Sequence, residues 1–446
     1  MNKCHLAKLF LAALLATAPV VFAQAPAPVQ AETAPIAEPA PFTSVEIPVS
    51  VPVVEKPVLK EKSVPEVKPE LAPAKVVGGM KVSLYGFFQL NAVYEDGANG
   101  GRAWSIWVPK DAQDGEGRIL LNVNQTRIGL NVAGEPKESG PEVSGRFEVD
   151  FSNDNERRNN GVSGLRIRQA FGQMKFNDIG LSLLFGQTSD LIAPLTAPSI
   201  NQGTLQGQGS LGTRRPMIRA TQALGPVEIA AAATDNRDAA AAPVFPAFQG
   251  SAKAKVPAAW AGAKQNVEFT LSGHYASRDT AATDTNGINA KKKDGYKYPP
   301  TSWSGVASLS LPVISIVNLS GEVFYGQNLS SYSSGSIQQS NLNSKYGTGL
   351  QSLGGWGAAN IKLPAGFALA GGYGVEAIDK DREPANGRIK NSVIFANLRY
   401  FVDEAAFIGF EYANIATDWV EKADTDRKVV DGKLNRFELV FNYAFK

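Results

Sequence analysis

Residues 142–152 read Glu-Val-Ser-Gly-Arg-Phe-Glu-Val-Asp-Phe-Ser. Val143, Gly145, Phe147, Val149 and Phe151 are apolar or small, and Ser144, Arg146, Glu148, Asp150 and Ser152 interleave with them. Period-two alternation marks an extended strand with two unlike faces. The last segment of the chain repeats it, with Phe437, Leu439, Phe441, Tyr443 and Phe445 set against Arg436, Glu438 and Asn442. Alternation by itself also suits a soluble sandwich with one wet face.

Spacing separates the two architectures. Sixteen candidate strands run from 81–95 to 433–446, among them 118–133, 141–153, 164–177, 226–234, 249–261 and 404–417. Most have the length of a tilted membrane-crossing strand, about 9 to 11 residues or slightly more. Their connections alternate. Long ones fall at 96–117, 154–163, 189–213, 235–248, 280–299, 330–351, 378–387 and 418–432, and tight joints at Asn177-Asp178, Gly225, Pro364-Ala365 and Val402-Asp403 lie between them. Long loops at one end and short turns at the other predict an all-β transmembrane barrel with both chain ends on the short-turn side. Two segments read less clearly: Ile229 to Ala233 also suits a helix, and Pro257 interrupts its run.

Cost decides which face meets lipid. An Arg on the lipid side near the membrane centre costs about 2–4 kcal/mol, so the row Arg146, Glu148 and Asp150 belongs in the lumen. Closure removes the edges that would leave backbone donors unpaired in hydrocarbon. The lipid bilayer is thus the first partner expected.

The rest of the chain reads differently. Lys3 and Lys8, the apolar run from Leu9 to Leu15 and Val21-Phe22-Ala23 have the order of a cleavable export signal, 1–23, with a mature start near Gln24. A retained anchor is the alternative, though the apolar core is short for a span of about 20 residues. Residues 24–78 are rich in Pro, Ala, Val, Glu and Lys and read as a semi-rigid periplasmic linker, a passive spacer or a tether toward peptidoglycan. The barrel domain is 79–446. The only Cys, Cys4, leaves with the signal. A net charge of +2 gives no basic excess for nucleic acid.

Parity places Arg127, Arg146, Arg166, Arg168, Arg215 and Arg219 inward on strands two to six, against Glu148 and Asp150. On strands nine to sixteen it places Glu268, Glu322, Glu376, Glu411 and Glu438 inward, against Arg278, Arg399 and Arg436. One wall is basic and the other more acidic, which implies a transverse field across the lumen. These charges also suit mutual pairing that merely solvates the wall. Tyr94, Trp303, Tyr325, Trp356, Tyr400, Tyr412 and Trp419 lie near strand ends or in the wall, and some should form interfacial girdles.

Several stretches resemble outer-membrane porins. LYGFFQLNAVYEDG (84–97), TRIGLNV (126–132), and LRIRQAFGQM (165–174) followed by LLFGQTSD (183–190) are similar to the opening strands and to the pair entering the constriction loop. RRPMIRAT (214–221), GGWGAANIKL (354–363), FIGFEYANIATDW (407–419) and LNRFELVFNYAF (434–445) resemble the trimeric DcaP-like porins. That resemblance implies sixteen strands, a homotrimer and a third long loop folded into the lumen, here about 188–213. It also implies insertion by the barrel-assembly machinery through the C-terminal strand. The chain departs from the pattern in ending on Lys446 after Phe445, and 24–78 is too Pro-rich for a coiled coil.

Function then reduces to lumen width and charge. Asp190 is the only carboxylate in 189–213, so the arginines are poorly offset near the loop. This points to passive diffusion of small hydrophilic solutes across the outer membrane, favouring anions such as small carboxylates. The rival is a structural tether in which the barrel only anchors the periplasmic arm.

Catalysis and metals find little support. Of the two His, His5 leaves with the signal, and His274 shares a face with Ser272, so a dyad is conceivable beside a plain hydrogen-bonding role. One His and no mature Cys offer no zinc set, and no cofactor is indicated. DTDTNG (283–288) and DTDR (424–427) have a Ca²⁺-loop flavour without the closing Glu.

Overall fold

The computed structural model describes residues 75–77, 79–99, 105–135, 140–152, 164–236, 245–262, 264–277, 301–332, 342–343, 348–378, 387–421 and 428–446. The export signal, the linker to residue 74, Arg278 and both Ca²⁺-loop-like stretches lie outside them.

Alternation becomes ladder. Sixteen strands, all antiparallel, close on themselves. They are β1 (Met80–Glu95), β2 (Arg118–Asn122 and Arg127–Gly134), β3 (Glu142–Asp150), β4 (Arg166–Phe176), β5 (Leu181–Ser189), β6 (Arg214–Leu224), β7 (Val227–Thr234) and β8 (Ala247–Pro257). The second half is β9 (Asn266–Ser277), β10 (Thr301–Ile314), β11 (Val317–Gln327), β12 (Gln351–Lys362), β13 (Phe367–Ile378), β14 (Arg388–Phe401), β15 (Ala406–Val420) and β16 (Val429–Phe445). The seam joins β1 to β16, from Gly86 opposite Phe445 to Glu95 opposite Arg436. A short strand, Lys75–Val77, folds back on the start of β1.

Three expectations are refined. The second strand is broken: β1 meets Asn122 opposite Asn91 and Arg127 opposite Phe87. Between these points the Gln89 amide donates to the Thr126 hydroxyl at 3.0 Å, so the backbone donor stays satisfied. The ambiguous seventh strand is extended and paired on both sides, because its neighbours' ladders outweigh the helix propensity of four Ala. The eighth ends at Pro257 instead of continuing to 261, and a 3-10 turn, Ala259–Ala261, follows. Proline offers no amide to extend the ladder.

The side-chain faces divide as cost requires. Leu84, Phe88, Val143, Phe147, Phe441 and Tyr443 are exposed on the outer surface, and Arg436 and Glu438 are buried inside. No helix among the described residues is long and apolar enough to cross a membrane. Short turns and both barrel ends share one rim. Tyr94, Tyr325 and Tyr400 are exposed outside, but Trp356 and Trp419 are buried and face in, a correction to their grouping with the girdle. Trp356 packs with Leu205 of the third long loop, and the Trp419 indole donates to the Val108 carbonyl at 2.9 Å.

Candidate functional site

The third long loop, 190–213, leaves the wall between β5 and β6 and crosses the lumen. Its base is clamped by Asp190, which is buried. Its carboxylate accepts from the Thr213 amide at 2.8 Å and from Gln249 Nε2 at 2.7 Å, and it pairs with Arg215 Nε at 2.8 Å. Arg215 is fully buried, donates to the Ser331 carbonyl at 3.0 Å and lies 3.9 Å over the Tyr332 ring. The other neighbour of that ring is His274, with centroids 3.8 Å apart. Asp190 and Arg215 therefore fix the base of the loop and present no charge to water.

His274 is held inside the wall. Nδ1 and the Ser304 hydroxyl are 2.6 Å apart, Nε2 and the Ser302 hydroxyl 2.9 Å. Both ring nitrogens are engaged away from Ser272, which leaves no dyad there.

The far side of the loop is seated on the acidic wall. Glu411 accepts the Ile200 amide at 2.5 Å, the Thr204 hydroxyl at 2.9 Å and Asn397 Nδ2 at 3.1 Å. Glu438 accepts Asn201 Nδ2 at 2.6 Å, is bonded by Asn91, and pairs with Arg436 at 3.2 Å. Glu322 faces Ser210, the Leu211 amide and Trp356. Glu376, in register with Asn391, is fully buried, and Asn391 donates to the Gly207 carbonyl at 2.7 Å. None of these four carboxylates is more than 3% exposed. Only Glu268 stands apart, half-buried beside Lys255 at 3.6 Å.

The loop tip approaches the wall closely. Gly209 has φ +115°, and a Cβ there would lie 2.1 Å from the Gly355 carbonyl oxygen. Only glycine meets both conditions without strain.

The opposite wall is basic. Arg166 binds Asp150 with two parallel bonds, at 2.9 and 2.7 Å. Arg168 reaches Asp150 at 2.6 Å and Glu148 at 2.8 Å, and Arg127 stands 3.6 Å from Glu148. Arg214 adds a fourth guanidinium, half-buried and within electrostatic reach of Arg127, Arg166, Arg168 and Asp150. Sequence parity passed over it because the phase that turns Arg215 inward puts Arg214 on the other face. Four positive charges against two negative leave a surplus of two. Arg219 is coupled to Glu228, and Arg146 is exposed beside Asn131 at 2.9 Å.

The loop turns an uncharged surface to this wall. Residues 191–213 contain no Asp, Glu, Lys or Arg. Gln202 supplies the contact: its Oε1 accepts from Arg168 at 3.0 Å and its amide donates to Gln125 at 3.2 Å. The structure thus brings Arg127, Arg166, Arg168, Glu148 and Asp150 into one network. Glu322, Glu376, Glu411 and Glu438 stand behind the loop instead of opposite that network. A transverse field between two open walls is replaced by an arginine wall facing amides and hydroxyls. No cluster among the described residues could hold a metal ion.

Comparison with known proteins gives no matching family model and no matching curated protein. Solved structures do match. The outer membrane channel DcaP of Acinetobacter baumannii is 20% identical over 84% of this chain and 100% of that one, with a TM-score of 0.65. The trimer form of in-vitro folded OmpT, an outer membrane protein of Vibrio cholerae, is 10% identical over 82% and 100%, with a TM-score of 0.50. Salmonella typhi OmpF, in complex with daunomycin, is 12% identical over 82% and 98%, with a TM-score of 0.51. At these identities the likeness concerns the fold: the chain has the sixteen-stranded antiparallel barrel of outer-membrane channel proteins.

Proposed function

We propose that this chain is an outer-membrane porin that passes small hydrophilic solutes by passive diffusion and favours anions, such as small carboxylates. The observation that carries the reading is the seating of the third loop. Glu411 and Glu438 of one wall hold its donors, Glu322 and Glu376 are buried beside it, and the arginines opposite keep a surplus of two charges. In a low-dielectric tube a fixed charge surplus attracts the opposite mobile ion and repels its own sign.

The reading assigns the chain no catalysis and no cofactor. It places the barrel in the outer membrane as a homotrimer, exported by residues 1–23 and inserted by the assembly machinery through β16. Residues 24–78 form its periplasmic linker, with peptidoglycan as the partner that linker could reach. The described trimer form of a protein with this fold supports the oligomer.

Planar-bilayer recording tests the transport reading. The mature protein should give stepwise conductance, and deletion of 24–78 should leave the steps intact. A barrel that serves only as an anchor would give none, and the deletion would instead loosen attachment of the envelope.

A further inference from the structure

The basic wall carries aromatic rings that diffusion of small ions does not require. Tyr85 and Phe87 alternate on β1 with the outward Leu84 and Phe88, so both point into the lumen, where each is half-buried. Phe171 on β4 is in register with Arg146 and shares that face. Arg127 lies 5.1 Å over the Phe87 ring and Arg146 lies 5.4 Å over the Tyr85 ring.

The rings are held flat by their neighbours. A Cβ on Gly129 would come within 2.4 Å of the Tyr85 ring, so this ring rests on bare backbone of the adjoining strand. The Tyr85 hydroxyl donates to Glu148 at 2.9 Å, which fixes it beside the arginine network. Phe171 continues into an apolar strip with Leu184 and Met217.

We propose that this wall is a subsite for carboxylates bearing an aromatic or alicyclic body. The carboxylate would meet Arg127 or Arg146, and the body would stack on Phe87 or Phe171. Arginine binds carboxylate through its planar fork, and a ring beside it adds dispersion and cation–π attraction. Several weak contacts along one wall, in place of one tight pocket, allow the solute to move on. This rests on the anion preference proposed above and names the class of anion.

The test uses full-length mature protein in planar bilayers, with acetate, cyclohexanecarboxylate and benzoate added to a chloride current. Half-block by benzoate and by cyclohexanecarboxylate should need about tenfold less solute than acetate. Phe87→Leu and Phe171→Leu should each shrink the ratio of benzoate to acetate half-block. Equal half-block by all three in the wild type overturns the proposal whatever the variants do, and so does a ratio that neither variant moves. The reversal potential of the same channel, read in potassium chloride without carboxylates, reports the anion preference separately. An anion-selective channel that treats the three carboxylates alike removes the subsite and leaves the porin reading standing.

Discussion

Glu411→Leu is the perturbation that probes the loop seating most sharply. Leu keeps most of the volume and loses every acceptor. Of the three donors within 3.1 Å, the Ile200 amide and the Thr204 hydroxyl would lose their acceptor, while Asn397 Nδ2 keeps the Pro198 carbonyl at 2.9 Å. At about 1–3 kcal/mol each, the seated loop is destabilised by roughly 2 kcal/mol at the least. That changes the ratio of seated to unseated loop by roughly 30-fold. The barrel itself should survive, because β15 is paired along its length with both β14 and β16. Single-channel recordings should show excess open-channel noise and a larger mean conductance. Unseating also uncovers Glu438, so selectivity should move toward cations. Heat-modifiable migration on detergent gels should be unchanged, and Glu411→Gln, which retains one acceptor oxygen, should fall between. A quiet trace of wild-type conductance from a folded Glu411→Leu barrel would refute the seating mechanism.

Other perturbations address separate parts of the account. Arg127→Gln removes one lumen charge without orphaning Glu148, which Arg168 still binds at 2.8 Å. A unit charge about 5 Å from a passing ion is worth about 0.8 kcal/mol in water, and about 0.5 kcal/mol after screening at 0.1 M salt. Acting with opposite sign on anion and cation, it should lower their permeability ratio about fivefold at 0.1 M, with little change at molar salt, as measured by reversal potentials. Gly209→Val adds left-handed strain and a clash with the Gly355 carbonyl, so its recordings should resemble those of Glu411→Leu. Phe147→Arg puts a charge on the outer surface and should cost about 2–4 kcal/mol in denaturant titrations from lipid vesicles, whereas Arg146→Gln, facing water in the lumen, should cost under about 1 kcal/mol.

The barrel was legible because one physical demand, unlike solvents on the two sides of every strand, is written into each residue. Segment 142–152 shows it twice over, in the apolar row and in the charged row. The strand breaks were less legible. The interruption of β2 at 123–126 depends on the Thr126 side chain replacing a ladder bond, a long-range pairing that local alternation cannot reveal. For the charges, facing in is not the same as facing water. Glu411 and Glu438 point inward and are still buried, because a loop more than two hundred residues earlier in the chain lies on them. Asp190 looked like the sole charge of the constriction and instead closes the loop base with Arg215. Arg214 escaped because the period that turns Arg215 inward puts its neighbour on the other face, although its guanidinium comes within electrostatic reach of the network.

The reversal potential of the wild-type channel tests the central claim most directly. The purified protein in a planar bilayer under a tenfold potassium chloride gradient, at dilute salt, should give a potential of the sign set by chloride. It should decline toward zero as the salt approaches molar. A potential of the sign set by potassium would show that the buried carboxylates, and not the arginine wall, govern the passage.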